Sequence, residues 1–193
     1  MRRFLVVLAL MLVLPAVAAA QQYVYAVKYV CGYNASAVGQ TSAGVIGGEP
    51  IVKFGNYATD INILNANDFP VDIEKNFYLL AEKTDVKARE PEQVPPAGFD
   101  GISLDPRGAT VDDCVRIYEV LNGGAPPPVN PPITVGWVVL RSSHEIDVTA
   151  VYTAAICTDY QANGGPVGSC RPGVAQGAGL SIDVEQIEGR RIN

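Results

Sequence analysis

A single histidine, His144, is the residue of the 193-residue chain with the clearest catalytic potential. A histidine base needs a nucleophile beside it and a carboxylate that orients its ring. Ser142, Ser143 and Glu145 adjoin His144, but neighbours in an extended turn point apart, and triads are assembled from distant segments. We therefore interpret His144 as the tip of a hairpin and predict no catalytic residue. Copper chemistry of the cupredoxin type is disfavoured too, because it needs two histidines with a cysteine.

The acidic residues do not define a hydrolase site. The chain has 20 of them, so some pair always lies at the separation that glycosidases use, and Asp112-Asp113 is better explained by the electrostatics of a helix start. Five oxygen-bearing side chains are of the type that calcium prefers: Asp60, Asn62, Asn65, Asn67 and Asp68. Their spacing does not match an EF-hand loop, so turn formation is the preferred interpretation and calcium the alternative. We predict no metal site and no cofactor.

Four cysteines remain after the first twenty residues: Cys31, Cys114, Cys157 and Cys170. An even number in an exported chain predicts two disulfides, for which three pairings exist. We favour Cys157–Cys170, which closes a Gly-rich loop, and Cys31–Cys114, which ties the first strand to the middle of the chain. Free buried thiols are the alternative. Zinc is disfavoured because there is no Cys-x-x-Cys pair and one histidine cannot complete a usual ligand set.

Residues 1–20 have the pattern of a cleaved signal peptide, with Arg2 and Arg3 before the apolar run Phe4 to Leu14 and three alanines before Gln21. The sequence therefore predicts a secreted or periplasmic protein. The remaining 173 residues carry a net charge of −8, which disfavours nucleic acid as a partner because such proteins need a basic footprint. No later segment is long and apolar enough to predict a membrane span.

The stretch from Ile133 to Tyr152 is expected to organise the fold. Its first run, around Trp137, is apolar at consecutive positions, as in a strand buried on both faces. Its second run alternates, with Ile146, Val148, Ala150 and Tyr152 on one face. Because a short polar link joins the runs, the pattern predicts a central β-hairpin.

Further strands are predicted on both sides of this stretch. Tyr23 to Val30 is the first, and residues 57–64 and 71–80 read as a second hairpin. In the last strand, Leu180 to Ile187, the apolar residues Leu180, Ile182 and Val184 are expected to face inward and Asp183 and Glu185 outward. Residues 158–179 are predicted to form a loop, and 189–193 a mobile tail.

One helix is predicted, beginning at Thr110, which can act as its N-cap with Asp113 three residues later. Spacing of three and four residues continues along one face, and Asn122-Gly123-Gly124 ends the pattern. This spacing predicts a buried helix face that consists of Val111, Cys114, Val115, Tyr118 and Leu121.

Together these elements predict one domain over residues 21–193, an immunoglobulin-like antiparallel β-sandwich with one short helix; a small β-barrel is the alternative. The whole-chain pattern resembles secreted bacterial β-sandwich proteins, and no motif transfers functional residues from them. We expect an exported, non-enzymatic module that is structural or binds a macromolecule. The alternative is a carbohydrate-binding module, with calcium or without, because nine tyrosines and Trp137 could stack on sugars; core packing of the tyrosines is the preferred interpretation.

Overall fold

The computed structural model describes residues 21–34, 52, 55–83, 85–88, 91–129, 131–156 and 179–192. The predicted signal peptide, Cys157, Cys170 and the loop predicted between them lie outside these ranges. Over the described ranges, no helix is long and apolar enough to cross a membrane. The elements in chain order are β1 (Gln22–Asn34), β2 (Gly55–Leu64), β3 (Val71–Glu82), β4 (Asp85–Val86), β5 (Gly98–Leu104), β6 (Ala109–Asp112), α1 (Cys114–Leu121), β7 (Thr134–Ser142), β8 (Asp147–Ile156), β9 (Gly179–Ile187) and β10 (Arg190–Ile192).

The strands form two antiparallel sheets that enclose a main core and a smaller cluster of Ala81, Ile133 and Val135. The first sheet runs β10–β1–β7–β3, with β5 and β4 on the far side of β3, and the second runs β6–β2–β8–β9. Strand β1 connects them, because it pairs with β7 over Tyr23–Cys31 and with β2 over Gly32–Asn34. The outermost strands β4 and β9 do not pair with each other, so the sheets do not close into a barrel. The predicted β-sandwich of immunoglobulin-like type with one short helix is thus confirmed as a fold class.

Alternating residues of both sheets fill the space between them. Strand β1 contributes Tyr25, Val27, Tyr29 and Cys31, all at most 1% exposed. The facing strands and the helix add further buried side chains: Ile61, Ile63, Val71, Ile73, Phe77, Ile117, Val138, Leu140, Val148 and Ala150. Full burial of each large apolar side chain stabilises the fold by about 1.5–3 kcal/mol.

Both predicted hairpins are wrong. Strand β7 pairs with β1 and β3, whereas β8 pairs with β2 and β9, so residues 143–146 cross from one sheet to the other. Residues 65–70 make the same kind of crossing between β2 and β3. Alternation identifies which face of a strand is buried, but two strands that share a core-facing pattern can lie in opposite sheets as well as side by side. The main-chain N–H of Ile146 donates to Tyr25 Oη at 2.9 Å, which fixes the first crossing.

The disulfide predicted between Cys31 and Cys114 is confirmed, with the two Cα atoms 5.5 Å apart. It lies where β1 leaves the first sheet. The next residue, Gly32, has φ +99°, a backbone conformation that residues other than glycine rarely adopt. A Cβ there would also overlap the Tyr118 hydroxyl and the Pro132 carbonyl oxygen.

The helix begins later than predicted, since β6 takes residues 109–112 into the sheet beside β2. Asp113 is the N-cap, and its carboxylate accepts from the Arg116 N–H at 2.8 Å. Ile117 and Tyr118 form the buried face, while Val115 is 49% exposed, contrary to the predicted face. The predicted end is correct, with Asn122 as the C-cap.

The end of the chain also departs from prediction. Ile182 and Val184 are 63% and 61% exposed rather than inward-facing. Strand β9 is the outer strand of its sheet, and its opposite face borders a groove rather than the core. Residues 190–192, predicted to be a mobile tail, form β10 and pair with Gln22–Val24 of β1.

Candidate ligand-binding groove

A groove of about 520 Å³ runs along the side of the sandwich where β1 is exposed. One wall consists of Ala26, Lys28 and Val30, which alternate on the face of β1 that points away from the core. The other wall is formed by residues of β2, β8 and β9, the strands of the second sheet that extend past β1. The volume is in the range of clefts that bind small ligands or segments of larger ones.

Three aromatic side chains line this groove: Trp137, Tyr57 and Tyr152. Trp137 lies directly opposite Lys28 in the pairing of β1 with β7 and is 37% exposed. The sequence pattern predicted that the strand carrying Trp137 is buried on both faces, and this prediction is wrong because Trp137 is exposed. Aromatic rings supply large apolar surfaces with polar edges, which suits both sugars and polypeptides.

Two carboxylates also line the groove, beside Tyr152. Asp183 and Glu185 are two residues apart on β9 and so share one face of the strand. The Tyr152 hydroxyl donates to Glu185 Oε2 at 3.4 Å. Burial, together with the negative charge of Glu185, raises the pKa of Tyr152 to about 12, so its hydroxyl stays a donor at neutral pH. Lys28 supplies the opposite charge and makes no ion pair with any described residue.

The main chain of β1 also faces the groove. Thr59 Oγ1 accepts from the Val30 N–H at 3.0 Å and donates to the Val30 carbonyl oxygen at 3.1 Å. The Val30 peptide groups therefore point away from β7, toward the second sheet. Because residues two apart along a strand direct their main-chain groups to the same side, Ala26 and Lys28 present their N–H and C=O groups to the groove as well.

No described strand occupies this side of β1 between its two partners. Pairing with β10 ends at Val24, and pairing with β2 begins at Gly32. The intervening residues pair with β7 on the other side. An edge of this kind is a template for one further strand.

His144 is exposed at the crossing between β7 and β8. Its Nδ1 lies 2.9 Å from Ser143 Oγ, so this neighbour does not point away as we expected. The ring also contacts Phe69, with the centroids 4.7 Å apart. Within the described ranges, no carboxylate is hydrogen-bonded to the imidazole, so His144 and Ser143 form a pair without the third member of a triad.

Three of the five residues considered for calcium make other contacts. Asn65 is fully buried, and its side-chain amide donates to the carbonyl oxygens of Phe69, Leu104 and Asp105 at 2.8, 3.2 and 3.0 Å. Asn65 Oδ1 accepts from the N–H of Asn67 at 3.0 Å. Another of these residues, Asp68, forms an ion pair with an arginine at 2.7 Å. Among the residues that the structure describes, no three His, Cys, Asp or Glu side chains cluster as a metal site would require.

Comparison of the chain with known protein families, with curated proteins and with solved structures finds no match. The fold and the groove define the class: an antiparallel β-sandwich with a ligand-sized groove along a strand edge that no described strand covers. Sequence reasoning assigned no binding residue. One sequence signal for the groove is Lys28, a charged residue within an otherwise apolar strand.

Proposed function

We propose that the protein is an exported, non-enzymatic module that binds a macromolecule, and that the groove receives an extended polypeptide segment of its partner. The observation that carries the proposal is the side of β1 with which no described strand pairs, where the peptide groups of Ala26 and Lys28 face the groove. An extended segment placed there would add a strand to the first sheet and bond its main chain to β1. Its affinity would come from main-chain hydrogen bonds and its specificity from the side-chain pockets on either side.

The walls of the groove suit such a segment. Along an added strand, alternate side chains would point toward opposite walls. One set would meet Trp137, and the other would meet Asp183 and Glu185. A segment with an aromatic or aliphatic residue directly next to a basic residue would therefore match the groove in shape and in charge.

Export is supported by two independent features. Residues 1–20 have the composition of a signal peptide. The Cys31–Cys114 disulfide fits an oxidising compartment, since such bonds persist outside the reducing cytosol.

Selection from a random-peptide display library against the mature protein tests the proposal. We expect enriched peptides to bind wild type and to lose about tenfold or more in affinity for Trp137→Ala, as for an aromatic hot spot. Phe99, on β5 and outside the groove, is 72% exposed, so Phe99→Ala is the matched control and should leave binding unchanged. Failure to enrich any peptide, or binding that Trp137→Ala does not weaken, would contradict the proposal.

A carbohydrate is the second candidate ligand, favoured by the three aromatic rings and two carboxylates that line one groove. Glycan-array binding by wild type that Trp137→Ala abolishes and Phe99→Ala preserves would support it. Repeating the array after chelation of divalent cations tests calcium dependence. A silent array would remove this candidate.

A further inference from the structure

A buried lysine lies in the core and does not line the groove. Lys75 occupies the core-facing row of β3 between Ile73 and Phe77, and its side chain is 3% exposed. Its Nζ lies 2.7 Å from Oδ1 of Asp112, whose side chain is also 3% exposed. A second carboxylate, Asp100 Oδ2, lies 3.7 Å from the same nitrogen.

The ion pair is incompletely satisfied. Asp112 Oδ2 is buried and has no hydrogen-bond partner among the residues that the structure describes. Removing two charges from water costs several kcal/mol per ion, and the attraction between them compensates only when the remaining lone pairs are also satisfied. The unpartnered oxygen means that this condition is not met, so a chemical change that removes both charges would relieve the cost.

We propose that Lys75 and Asp112 are joined by an isopeptide bond that forms without an added reagent. The reaction balances within the pair: the ammonium and the carboxylate give a secondary amide between Nζ and Cγ and release one water molecule. Two protons leave Nζ, one oxygen leaves Asp112, and no oxidant or activating group is needed. Holding two reacting groups in contact in a dry site replaces a bimolecular encounter and removes much of the barrier.

Asp100 is placed to move the proton. It stands opposite Lys75 in the pairing of β3 with β5, and Arg116 Nη2 lies 2.8 Å from its Oδ1. Partial burial acts to raise the pKa of Asp100, but hydrogen bonds from Arg116 and from the Gly101 main chain, with the charge of Lys75, hold it below its usual range. One proton of the ammonium would pass directly to Asp112 Oδ1 across their 2.7 Å contact, which gives a neutral amine beside a carboxylic acid. The ionised Asp100 can accept the second proton from Nζ as the nitrogen attacks Cγ, and can return it to the departing hydroxyl of Asp112, which leaves as water.

The bond would link the two sheets. Lys75 belongs to β3 in the first sheet and Asp112 to β6 in the second. The disulfide joins β1 to the start of α1, two residues after Asp112. The sandwich would then carry two covalent bridges near the start of the helix. A reductant would break the disulfide but not the isopeptide bond.

The intact mass of the mature chain after complete reduction of disulfides tests the proposal. We expect the measured mass to be lower than the sequence mass by one water molecule. Cyclisation of an N-terminal glutamine releases ammonia instead, so the two events are distinguishable by mass. Peptide mapping should then give a branched peptide in which the segment containing Lys75 is attached to the segment containing Asp112. Linear peptides carrying unmodified Lys75 and Asp112 would overturn the proposal.

Three variants make the assignment specific. Lys75→Met should restore the full sequence mass, and so should Asp112→Ala. Lys87→Met, which removes a lysine from an exposed surface pair, should keep the water loss. Asp100→Asn should slow bond formation, so that freshly prepared protein contains a larger uncrosslinked fraction than wild type. Water loss that persists in Lys75→Met would also overturn the assignment; the wild-type peptide map decides the question even if that variant fails to fold.

Discussion

Removing the Cys31–Cys114 disulfide should destabilise the sandwich by several kcal/mol. The bridge joins residues 83 apart in sequence, and closing a loop of that length restricts the unfolded chain by about 4.5 kcal/mol in the chain-entropy description. Cys31 is fully buried, and the Thr59 N–H donates to Cys114 Sγ at 3.2 Å, so the Cys31→Ala/Cys114→Ala variant also loses native contacts. Because small domains unfold at a total cost of about 5–15 kcal/mol, this is a large share of the stability.

Urea unfolding followed by tryptophan fluorescence measures this loss, because Trp137 is the single tryptophan of the chain. We expect the Cys31→Ala/Cys114→Ala variant to unfold at a much lower urea concentration than the oxidised wild type. Reduced wild type serves as the control and should approach the variant. Equal unfolding midpoints for the oxidised wild type and the variant would refute the reasoning.

Three further changes have defined outcomes. Gly136→Ala should destabilise the fold by about 1–3 kcal/mol or more, as overpacking does, because a Cβ would overlap the main-chain carbonyl oxygen of Tyr78 and the phenol of Tyr29. An unchanged melting temperature would contradict this. Asn65→Ala should cost about 2–4 kcal/mol, because it removes the buried amide group that bonds three main-chain carbonyl oxygens. Urea unfolding measures this loss, and a loss under about 0.5 kcal/mol, typical of a surface change, would contradict the prediction. Burial and the charge of Glu185 raise the folded-state pKa of Tyr152 to about 12. The stability that this shift contributes is therefore present below the unfolded pKa near 10 and is lost as pH rises toward 12. Tyr152→Phe should weaken the pH dependence of unfolding between these values, and a profile identical to that of wild type would contradict this.

The sequence predicted strand faces well where the core determines them. Ile61 and Ile63 on β2, and Val148 and Ala150 on β8, are buried as their alternation indicates. The same rule failed for β9, whose apolar residues are exposed because the strand lies at the outside of its sheet. The local sequence pattern indicates that a segment alternates as a strand does, but it does not indicate where in the sheet that strand lies.

The local sequence pattern does not predict which strands pair with each other, and the groove depends on that pairing. Lys28 lines a groove because β1 lacks a described neighbour beside it, which follows from β2 joining only the end of that strand. The buried pair of Lys75 and Asp112 was missed for the same reason, since β3 and β6 meet through long-range packing. The Cys31–Cys114 pairing was predictable because a strand end and a helix start each placed one cysteine toward the core.

Amide hydrogen exchange along β1, resolved residue by residue in the free protein, tests the central claim most directly. The claim is that β1 offers a free side to the groove, so the amides of Ala26 and Lys28 should exchange rapidly. The amides of Val27 and Tyr29, which point toward β7, should be protected, as hydrogen-bonded strand amides are. A peptide selected by display should slow exchange at Ala26 and Lys28 when it binds. Equal protection of all four amides in the free protein would contradict the account.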